Sequence, residues 1–292
     1  MSVVTYRTTP IRVRRTKEDM GYIRLAIYEA LYEDNPMTVR QVFYRLVSTG
    51  VIEKAEGEYK QTVCRLLTEM RLDGVIPFGW IADNTRWMRK PRTFTSLDHA
   101  LKVTAETYRR ALWHDLPTYC EIWLEKDALA GVLYEETEQW DVPLMVTRGY
   151  ASLSYLHEAA EAIAEQGKPA YIYYLGDYDP SGMDIPRKVE ARLREFAPDA
   201  EIHFERVAVT PEQIVAFALP TRPTKTTDSR SKGFAAQSVE VDAMASATLR
   251  ALVRTCITRH VEEATLAAVE RVEDAEREVL AGITAAWTGG GK

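Results

Sequence analysis

A short stretch in the middle of the chain joins a strand pattern to an acidic turn. Tyr171 to Leu175 is an apolar, β-branched and aromatic run, which predicts a buried strand. Asp177 and Asp179 follow it, and Gly182 lets the backbone fold back. Carboxylates at the carboxyl end of a strand lie where open α/β sheets bind ligands. Two aspartates this close repel each other unless a hard cation joins them, so the stretch predicts a Mg²⁺ site for phosphate chemistry.

Two other interpretations of the acidic turn stay open. Asp177, Asp179, Ser181 and Gly182 match the first half of a calcium-binding helix–loop–helix loop. Position twelve of that loop is Lys188, where calcium needs a bidentate glutamate, and the preceding element is a strand pattern. The residues also suit an ordinary surface turn, because Asp, Pro, Ser and Gly are the usual turn residues.

The composition limits the class of protein. A chain of 292 residues is long enough for two domains, and 46% hydrophobic with 27% charged residues is typical of globular proteins. No apolar run approaches the roughly 18 residues needed to cross a bilayer, and the arginine-bearing amino terminus lacks a secretory h-region. Cys64, Cys120 and Cys256 are widely spaced and odd in number, which argues against zinc or a disulfide framework. We therefore expect a cytoplasmic, nucleoid-associated protein without a membrane partner.

The charges are distributed unevenly along the chain. The net charge is −6, yet residues 1–115 hold 19 Lys and Arg against 14 Asp and Glu, so the remainder carries −11. Such asymmetry indicates a polyanion-binding part joined to another part. The densest basic cluster, at 84–92, contains Arg86, Arg89 and Lys90 and no acid. It fits either a contact to DNA phosphates or a solvated linker.

Three helices are predicted in the first part of the chain. Apolar residues recur at helical spacing over 18–33, from Thr38 as N-cap to Gly50, and from Glu58 to Leu72. Residues 75–81 alternate apolar and turn residues, which predicts a short hairpin.

Three helices followed by a hairpin form the winged helix-turn-helix, whose last helix commonly enters the major groove. We therefore predict a DNA-binding domain over 1–92 with double-stranded DNA as the partner. Its predicted DNA contacts, besides the basic cluster, are Arg45, Lys60, Arg65 and Arg71.

Strand and helix patterns alternate in the next part of the chain. Predicted strands lie at 117–126, near Met145, at 171–175 and at 201–209, and predicted helices begin near Asp127 and cover 152–166 and 186–196. This alternation predicts an α/β fold with a mostly parallel, Rossmann-like sheet over 116–210. We expect a helical connector at 93–115, and a loop with a helical C-terminal extension at 211–292.

Three carboxylates should meet at one edge of that sheet. Glu125 ends the first predicted strand of the α/β part, and Asp177 and Asp179 end a later one. This arrangement resembles the Toprim domain, the metal-binding module of topoisomerases, primases and several nucleases. The resemblance covers roughly 116–200 and implies that these three residues hold Mg²⁺, with Mn²⁺ as an alternative.

Two motifs carry the resemblance. Trp123-Leu-Glu125-Lys126 is similar to the glutamate motif, and Gly176-Asp-Tyr-Asp-Pro-Ser-Gly182 is similar to the aspartate motif. Asp-Pro-x-Gly-x-Asp-Ile, ending at Ile185, looks most like the branch formed by the A subunit of DNA topoisomerase VI and the meiotic double-strand-break transesterase.

That branch places a nucleophilic tyrosine in a winged-helix domain before the Toprim domain. Thr38-Val-Arg40-Gln-Val-Phe43-Tyr44 is similar to its Thr-x-Arg-x-x-aromatic-Tyr context. The resemblance implies that Tyr44 is the nucleophile and that Arg40 stabilises the charge of the reaction. It also implies a homodimer, because the tyrosine of one protomer works with the metal of the other. No ATPase portion is recognised, so strand passage would require a separate ATPase partner.

Several of these residues have alternative roles. Tyr44 also fits a core aromatic on an amphipathic helix. Lys126 either contacts phosphate or is solvated. Glu240, in a Glu-x-Asp-Ala element, either contacts metal or caps a helix, and we favour the cap. Asp184 either supports the metal site or lies favourably at a helix N-terminus.

Three functions follow from the sequence. The first is Mg²⁺-dependent cleavage of duplex DNA by a tyrosine transesterase of the topoisomerase VI A type. The second is a hydrolytic Toprim nuclease in which Tyr44 is structural. The third is a DNA- or partner-binding module with a vestigial metal site.

Overall fold

The computed structural model of the protein describes residues 15–82, 91–223 and 237–289. The α-helices there are α1 (Lys17–Glu33), α2 (Val39–Ser48), α3 (Cys64–Leu72), α4 (Leu97–Thr107), α5 (Ala130–Gln139), α6 (Leu153–Glu165), α7 (Pro180–Phe196), α8 (Pro211–Ala216), α9 (Ser246–Thr258) and α10 (Glu263–Gly289). The strands are β1 (Tyr119–Leu124), β2 (Leu144–Val146), β3 (Ala170–Leu175), β4 (Ile202–Ala208), β5 (Arg222–Pro223) and β6 (Gln237–Ser238). None of the described helices is long and apolar enough to cross a membrane.

The three N-terminal helices are confirmed. Thr38 begins α2 with a capping box, because its hydroxyl accepts from the Gln41 N–H while the Gln41 side chain accepts from the Thr38 N–H. A π-helical segment, Glu58–Val63, precedes α3 and runs directly into it. The apolar faces of the helices enclose one buried core. That core includes Ile27, Leu31, Val42, Leu46, Leu67 and Met70.

The predicted hairpin over 75–81 is wrong. This stretch contains the single 3₁₀ turn Phe78–Trp80, which Pro77 precedes. Proline has no N–H to donate to a strand ladder, so Pro77 favours the turn over a paired strand. Ile81 instead forms an isolated parallel bridge with Met37.

The predicted α/β architecture with a parallel sheet is confirmed. The four main strands pair in parallel in the order β2-β1-β3-β4. The side chains of β1 are buried along its whole length, as expected for a strand covered on both faces. In the register of β1 and β3, Leu124 lies opposite Leu175. The residues that follow these two strands therefore emerge side by side.

The helix that follows β3 begins six residues earlier than predicted. Asp179 is its N-cap and accepts from the Gly182 N–H at 2.7 Å, and Pro180 occupies the first helical position. Proline suits that position because its missing N–H has no partner there anyway. Pro186, where the helix was expected to start, lies inside α7. The acidic turn is therefore the short loop that connects the end of β3, at Leu175, to the start of α7, at Pro180.

The connector at 93–115 is helical only in α4, and residues 108–115 are irregular. The helix packs against α10. After it, the Tyr108 hydroxyl donates to Glu276 at 2.8 Å, and Arg110 contacts the same carboxylate at 2.8 Å. The connector is thus attached to the C-terminal helix.

Glu121 on β1 is a carboxyl in an apolar environment, and its pKa should make stability depend on pH. The side chain accepts hydrogen bonds from the Tyr119 hydroxyl at 3.0 Å and from Trp123 Nε1 at 2.6 Å. Burial raises the pKa of Glu121 to about 7, although these hydrogen bonds oppose the shift. Because the folded state then holds a proton that the unfolded state releases, the free energy of unfolding should fall as the pH rises from 4.5 to 7.

Glu121→Gln should therefore reduce the pH dependence of stability. The variant should be more stable than the parent at pH 8 by up to about 3 kcal/mol and similar to it near pH 5. Glutamine is a suitable replacement because it keeps one acceptor for Trp123 and can donate to the Tyr119 oxygen. Urea unfolding at both pH values measures the difference in stability. Equal pH profiles in the two proteins would show that Glu121 is ionised in the fold.

Candidate functional site

Two of the predicted metal-binding residues meet at the carboxyl ends of β1 and β3, through the carboxylate of one and the backbone N–H of the other. Glu125 N–H donates to the Leu175 carbonyl at 2.9 Å, which extends the strand pairing by one residue. The Glu125 Oε2 atom in turn accepts from the Asp177 N–H at 3.0 Å. The neighbouring strands therefore bring these residues together although 52 positions separate them in the sequence.

Gly176 is required for this close approach. A Cβ at this position would lie 2.5 Å from Glu125 Oε2 and 2.7 Å from the Tyr174 ring. Atoms so close cannot coexist, so any larger residue would displace the Glu125 carboxylate.

Asp179 is engaged at the N-terminus of α7. Its Oδ1 accepts from the Gly182 N–H at 2.7 Å and from the Ser181 hydroxyl at 2.8 Å. Its Oδ2 lies 3.6 Å from an Arg222 nitrogen. Asp179 therefore acts as a helix cap in this structure, and it faces a cation from β5.

Lys126 lies inside a group of carboxylates. Its Nζ is 3.1 Å from Asp177, 3.3 Å from Glu240 and 2.7 Å from Asp242. Burial favours the neutral amine, but the three carboxylates outweigh it and raise the pKa of Lys126. The alternative of a solvated side chain is therefore wrong, and the phosphate contact of Lys126 stays a prediction.

Glu240 joins the N-terminal helices to the sheet. One of its oxygens accepts from Arg40 at 3.1 Å, and the other accepts from Arg222 at 2.5 Å. Beside it, Asp242 accepts from the Thr38 hydroxyl at 3.2 Å, so the cap of α2 touches the same acidic segment. Glu240 precedes a 3₁₀ turn without making a side-chain cap hydrogen bond, so the predicted capping role is wrong.

Arg206 binds the backbone of the acidic turn. Its guanidinium donates to the carbonyls of Gly176, Asp177 and Gly182 at 3.0, 2.7 and 2.6 Å. These bonds satisfy carbonyls that follow the end of β3 and hold the turn that carries the aspartates.

A cleft opens between the N-terminal helices and the α/β part. Its volume is about 680 Å³. The lining includes the cations Arg40, Arg71, Lys126 and Arg148, the acids Glu125, Asp127, Glu240 and Asp242, and the ring of Tyr59. A cleft at the carboxyl ends of parallel strands is the usual ligand site of such sheets.

Tyr44 lies on α2, the helix that contributes Arg40 to this cleft, and is buried. The residue is 3% exposed, belongs to the N-terminal core, and has Lys54 Nζ 5.2 Å from its ring centre. Burial and the Glu240 charge raise the pKa of Tyr44 to about 12, while Arg40 acts to lower it. The phenol is therefore protonated at neutral pH.

The carboxylates do not form a preassembled metal centre. Within the described ranges, no group of three or more His, Cys, Asp and Glu side chains is arranged to hold a metal ion. Asp177 contacts Lys126 and the Val241 N–H, and Asp179 caps α7.

The donor chemistry nevertheless fits a hard cation. Among the described residues, no lysine, arginine or histidine pairs with Glu125. Burial, followed by the charge of Asp177, raises the pKa of Glu125 to about 7. An oxygen-binding cation would relieve this repulsion between neighbouring carboxylates.

The predicted DNA-binding residues fall into three groups. Arg45, Lys60 and Arg65 lie on the helix surfaces and pair with the acids Glu33, Glu56 and Glu69. Arg71 lines the cleft, and Lys126 is the internal ammonium. Arg86, Arg89 and Lys90 lie outside the described residues.

Asp184 lies near the start of α7. It accepts from the Tyr150 hydroxyl at 2.8 Å and pairs with Arg187 and Lys188. These three partners lower the pKa of Asp184. Its surroundings indicate a surface ion-pair cluster on α7.

Sequence reasoning missed several residues of the site. Arg222 lies in a Pro- and Thr-rich segment that predicts only a loop, and Tyr59 has no sequence signal beyond its place in a predicted helix. Asp242 belonged to the Glu-x-Asp-Ala element, which was the one signal available. Arg206 carried none, because a lone arginine in a strand predicts no particular contact.

No protein-family model and no curated protein matches this chain. The Toprim and winged-helix assignments therefore stay predictions.

Proposed function

We propose that the protein cleaves duplex DNA by metal-dependent transesterification, with Tyr44 as the nucleophile. One observation carries the proposal: Glu125 and Asp177, which follow adjacent parallel strands, lie so close that the Glu125 carboxylate accepts from the Asp177 N–H, and Glu125 lines a cleft that also contains Arg40. Acidic oxygens for a cation and a guanidinium for phosphate are the two components that phosphoryl transfer requires.

Glu125, Asp177 and Asp179 would hold the metal, with Mg²⁺ or Mn²⁺ as the cation. When bound, such an ion neutralises charge on the phosphate and orients it. Arg40 shares the helix of Tyr44 and lies one turn before it, so its guanidinium can bind the phosphate next to the phenol. The phenol oxygen of Tyr44 would form a bond to phosphorus as the bond from phosphorus to the 3′ or 5′ oxygen breaks, and the phenol proton would end on that departing oxygen as a hydroxyl.

Cutting both strands of a duplex requires two such sites, so the proposal includes a homodimer. The resemblance described above pairs the tyrosine of one protomer with the metal of the other. Within one chain, Tyr44 is already close enough to Glu240, Arg40 and Lys126 for their charges to shift its pKa. Passage of one duplex through another would need a separate ATPase partner.

Hydrolysis is the second candidate, and the burial of Tyr44 favours it. A phenol that is 3% exposed and has a pKa of about 12 is a poor nucleophile unless α2 moves. In this alternative the same carboxylates serve an attacking water, and Tyr44 contributes packing only.

Tyr44→Phe should abolish the covalent protein–DNA adduct, by at least about a hundredfold, because phenylalanine keeps the packing and removes the attacking oxygen. The measurement is a denaturing gel of protein with supercoiled DNA and Mg²⁺ or Mn²⁺, with and without protease. Tyr59→Phe is the matched control, since Tyr59 lines the cleft and its ring lies 4.7 Å from the Arg40 guanidinium.

The outcomes separate the three functions. Metal-dependent cutting that persists in Tyr44→Phe without any adduct would establish hydrolysis. If the adduct is lost only in Tyr59→Phe, the nucleophile is Tyr59 and not Tyr44. DNA binding without cleavage or metal binding, in the parent and equally in Asp177→Ala and Asp179→Ala, would leave a binding module.

A further inference from the structure

Three cations from distant parts of the chain enclose the carboxylate of Glu240. Arg40 lies 3.1 Å and Lys126 3.3 Å from one of its oxygens, and Arg222 lies 2.5 Å from the other. The Glu240 side chain is 6% exposed, whereas those of Arg40 and Arg222 are each 33% exposed. The cations therefore surround a single anion and are themselves partly open to solvent.

The backbone around Glu240 is held independently of this side chain. Val239 exchanges two hydrogen bonds with Tyr178, at 2.8 and 2.9 Å, and the Val241 N–H donates to Asp177 at 2.9 Å. Glu240 also lines the cleft. Rotation of its side chain into the cleft would free the three cations while the backbone on both sides stays in place.

Each cation has a second partner that would remain after such a rotation. Lys126 keeps Asp177 and Asp242, at 3.1 and 2.7 Å. Arg222 keeps Asp179 at 3.6 Å, and the Arg40 guanidinium stays over the Tyr59 ring. Release of Glu240 therefore leaves none of the three cations without a partner. The cations are also already in position to bind an entering anion.

The donor set suits a phosphate group. Guanidinium groups bind phosphate oxygens through paired N–H donors, and an ammonium adds a compact charge. A phosphodiester carries one negative charge on two non-bridging oxygens, and a carboxylate carries the same charge on two oxygens. One anion can therefore replace the other in this pocket.

We propose that Arg40, Lys126 and Arg222 form a binding site for a backbone phosphate of DNA, and that Glu240 is the resident anion which the phosphate displaces. The proposal rests on the DNA-cleaving function proposed above and adds its regulation. Without DNA the site is closed by an acid of its own chain, and Arg222 becomes a phosphate ligand.

Glu240→Gln tests the displacement. The neutral amide competes poorly for the cations, so the variant should bind a short labelled duplex about tenfold more tightly than the parent in EDTA. The slope of log K against log salt should change by less than about 1, because the same cations contact phosphate in both complexes once Glu240 is displaced. Fluorescence anisotropy over a range of salt concentrations measures both quantities, and thermal melting verifies that the variant is folded.

Glu136→Gln is the matched control. Glu136 is equally buried, at 6% exposure, and pairs with Arg254 at 2.7 Å away from the cleft residues. It changes the net charge by the same amount, so it should alter the affinity for DNA less than about twofold. Glu240→Asp, which keeps the charge, should not reproduce the gain.

Arg222→Gln gives a second test that does not depend on the folding of the Glu240 variant. It should weaken duplex binding about fivefold and reduce the salt slope by about 1, as loss of one phosphate contact does. An Arg222→Gln protein that binds with parental affinity would overturn the site.

A folded Glu240→Gln protein that gains no affinity, or gains no more than Glu136→Gln, would also overturn the proposal. If the parent still cleaves DNA in that case, the proposed DNA-cleaving function is retained and only the displacement of Glu240 is rejected. Binding of inorganic pyrophosphate tests the opposite case, in which the phosphate site exists but the protein does not act on DNA. Tighter pyrophosphate binding by Glu240→Gln, with no duplex binding by either protein, would support the phosphate site and refute DNA as the substrate.

Discussion

Replacing Lys126 by methionine should lower the free energy of unfolding by about 3–5 kcal/mol. Methionine fills a similar volume but removes the ammonium that lies within 3.3 Å of Asp177, Glu240 and Asp242. Three buried carboxylates would then face one another without their shared cation, and such uncompensated charges are expensive in a protein interior. Urea unfolding at neutral pH in EDTA measures the loss.

Lys102→Met is the matched control for this prediction. Lys102 pairs with Asp98 at 3.0 Å on an exposed helix surface, where such pairs contribute little. Its removal should change stability by less than about 0.5 kcal/mol. A loss below about 1 kcal/mol in Lys126→Met would mean that the carboxylates are protonated or hydrated in the fold.

The Lys126→Met variant also provides a test of the cation proposal. If Glu125, Asp177 and Asp179 accept Mg²⁺, the ion should restore part of the lost stability, and it should stabilise the variant more than the parent. The absence of any stabilisation by Mg²⁺ in either protein would argue against a cation at these carboxylates.

Gly182→Ala should be the second most damaging change, with a loss of about 3 kcal/mol or more and distortion of the acidic turn. A Cβ at Gly182 would lie 2.1 Å from the carbonyl oxygen of Asp177 and 2.9 Å from its carbonyl carbon. These are backbone atoms, so rotation of a side chain cannot relieve the contact. The turn would have to open, which would also break the bond from the Gly182 N–H to Asp179.

Gly282→Ala is the contrasting substitution. Gly282 lies in α10, and a Cβ there meets no atom within 4 Å. Alanine should therefore stabilise the protein by about 0.5–1 kcal/mol through its higher helix propensity. Thermal unfolding of both variants makes the comparison, and a tolerated Gly182→Ala would show that the turn can relax without cost.

The sequence by itself predicted those parts of the fold that depend on near neighbours. The alternation of apolar runs and helical spacing located β1, β3, β4 and the three N-terminal helices, because periodicity reports which face of an element is buried. Thr38 as a helix cap was also predictable, since capping involves residues three apart. The meeting of Glu125 with Asp177 followed from a general property of parallel sheets.

Two local predictions are wrong at prolines. Pro77 precedes a 3₁₀ turn where a hairpin was expected, and Pro180 begins α7 where a turn was expected. Proline is compatible with both interpretations, and the choice depends on whether neighbouring chain segments offer a partner for the backbone.

Only the tertiary structure decided what surrounds the reactive groups. Arg40 and Glu240 are 200 residues apart, and Lys126 and Asp242 are 116 apart, so no local pattern could pair them. Burial of Tyr44 likewise depends on how α2 packs against the segment after β6. Sequence periodicity determined the elements and the edge where the acids converge. The packing of those elements decided that a lysine lies among the acids and that a glutamate occupies the proposed phosphate site.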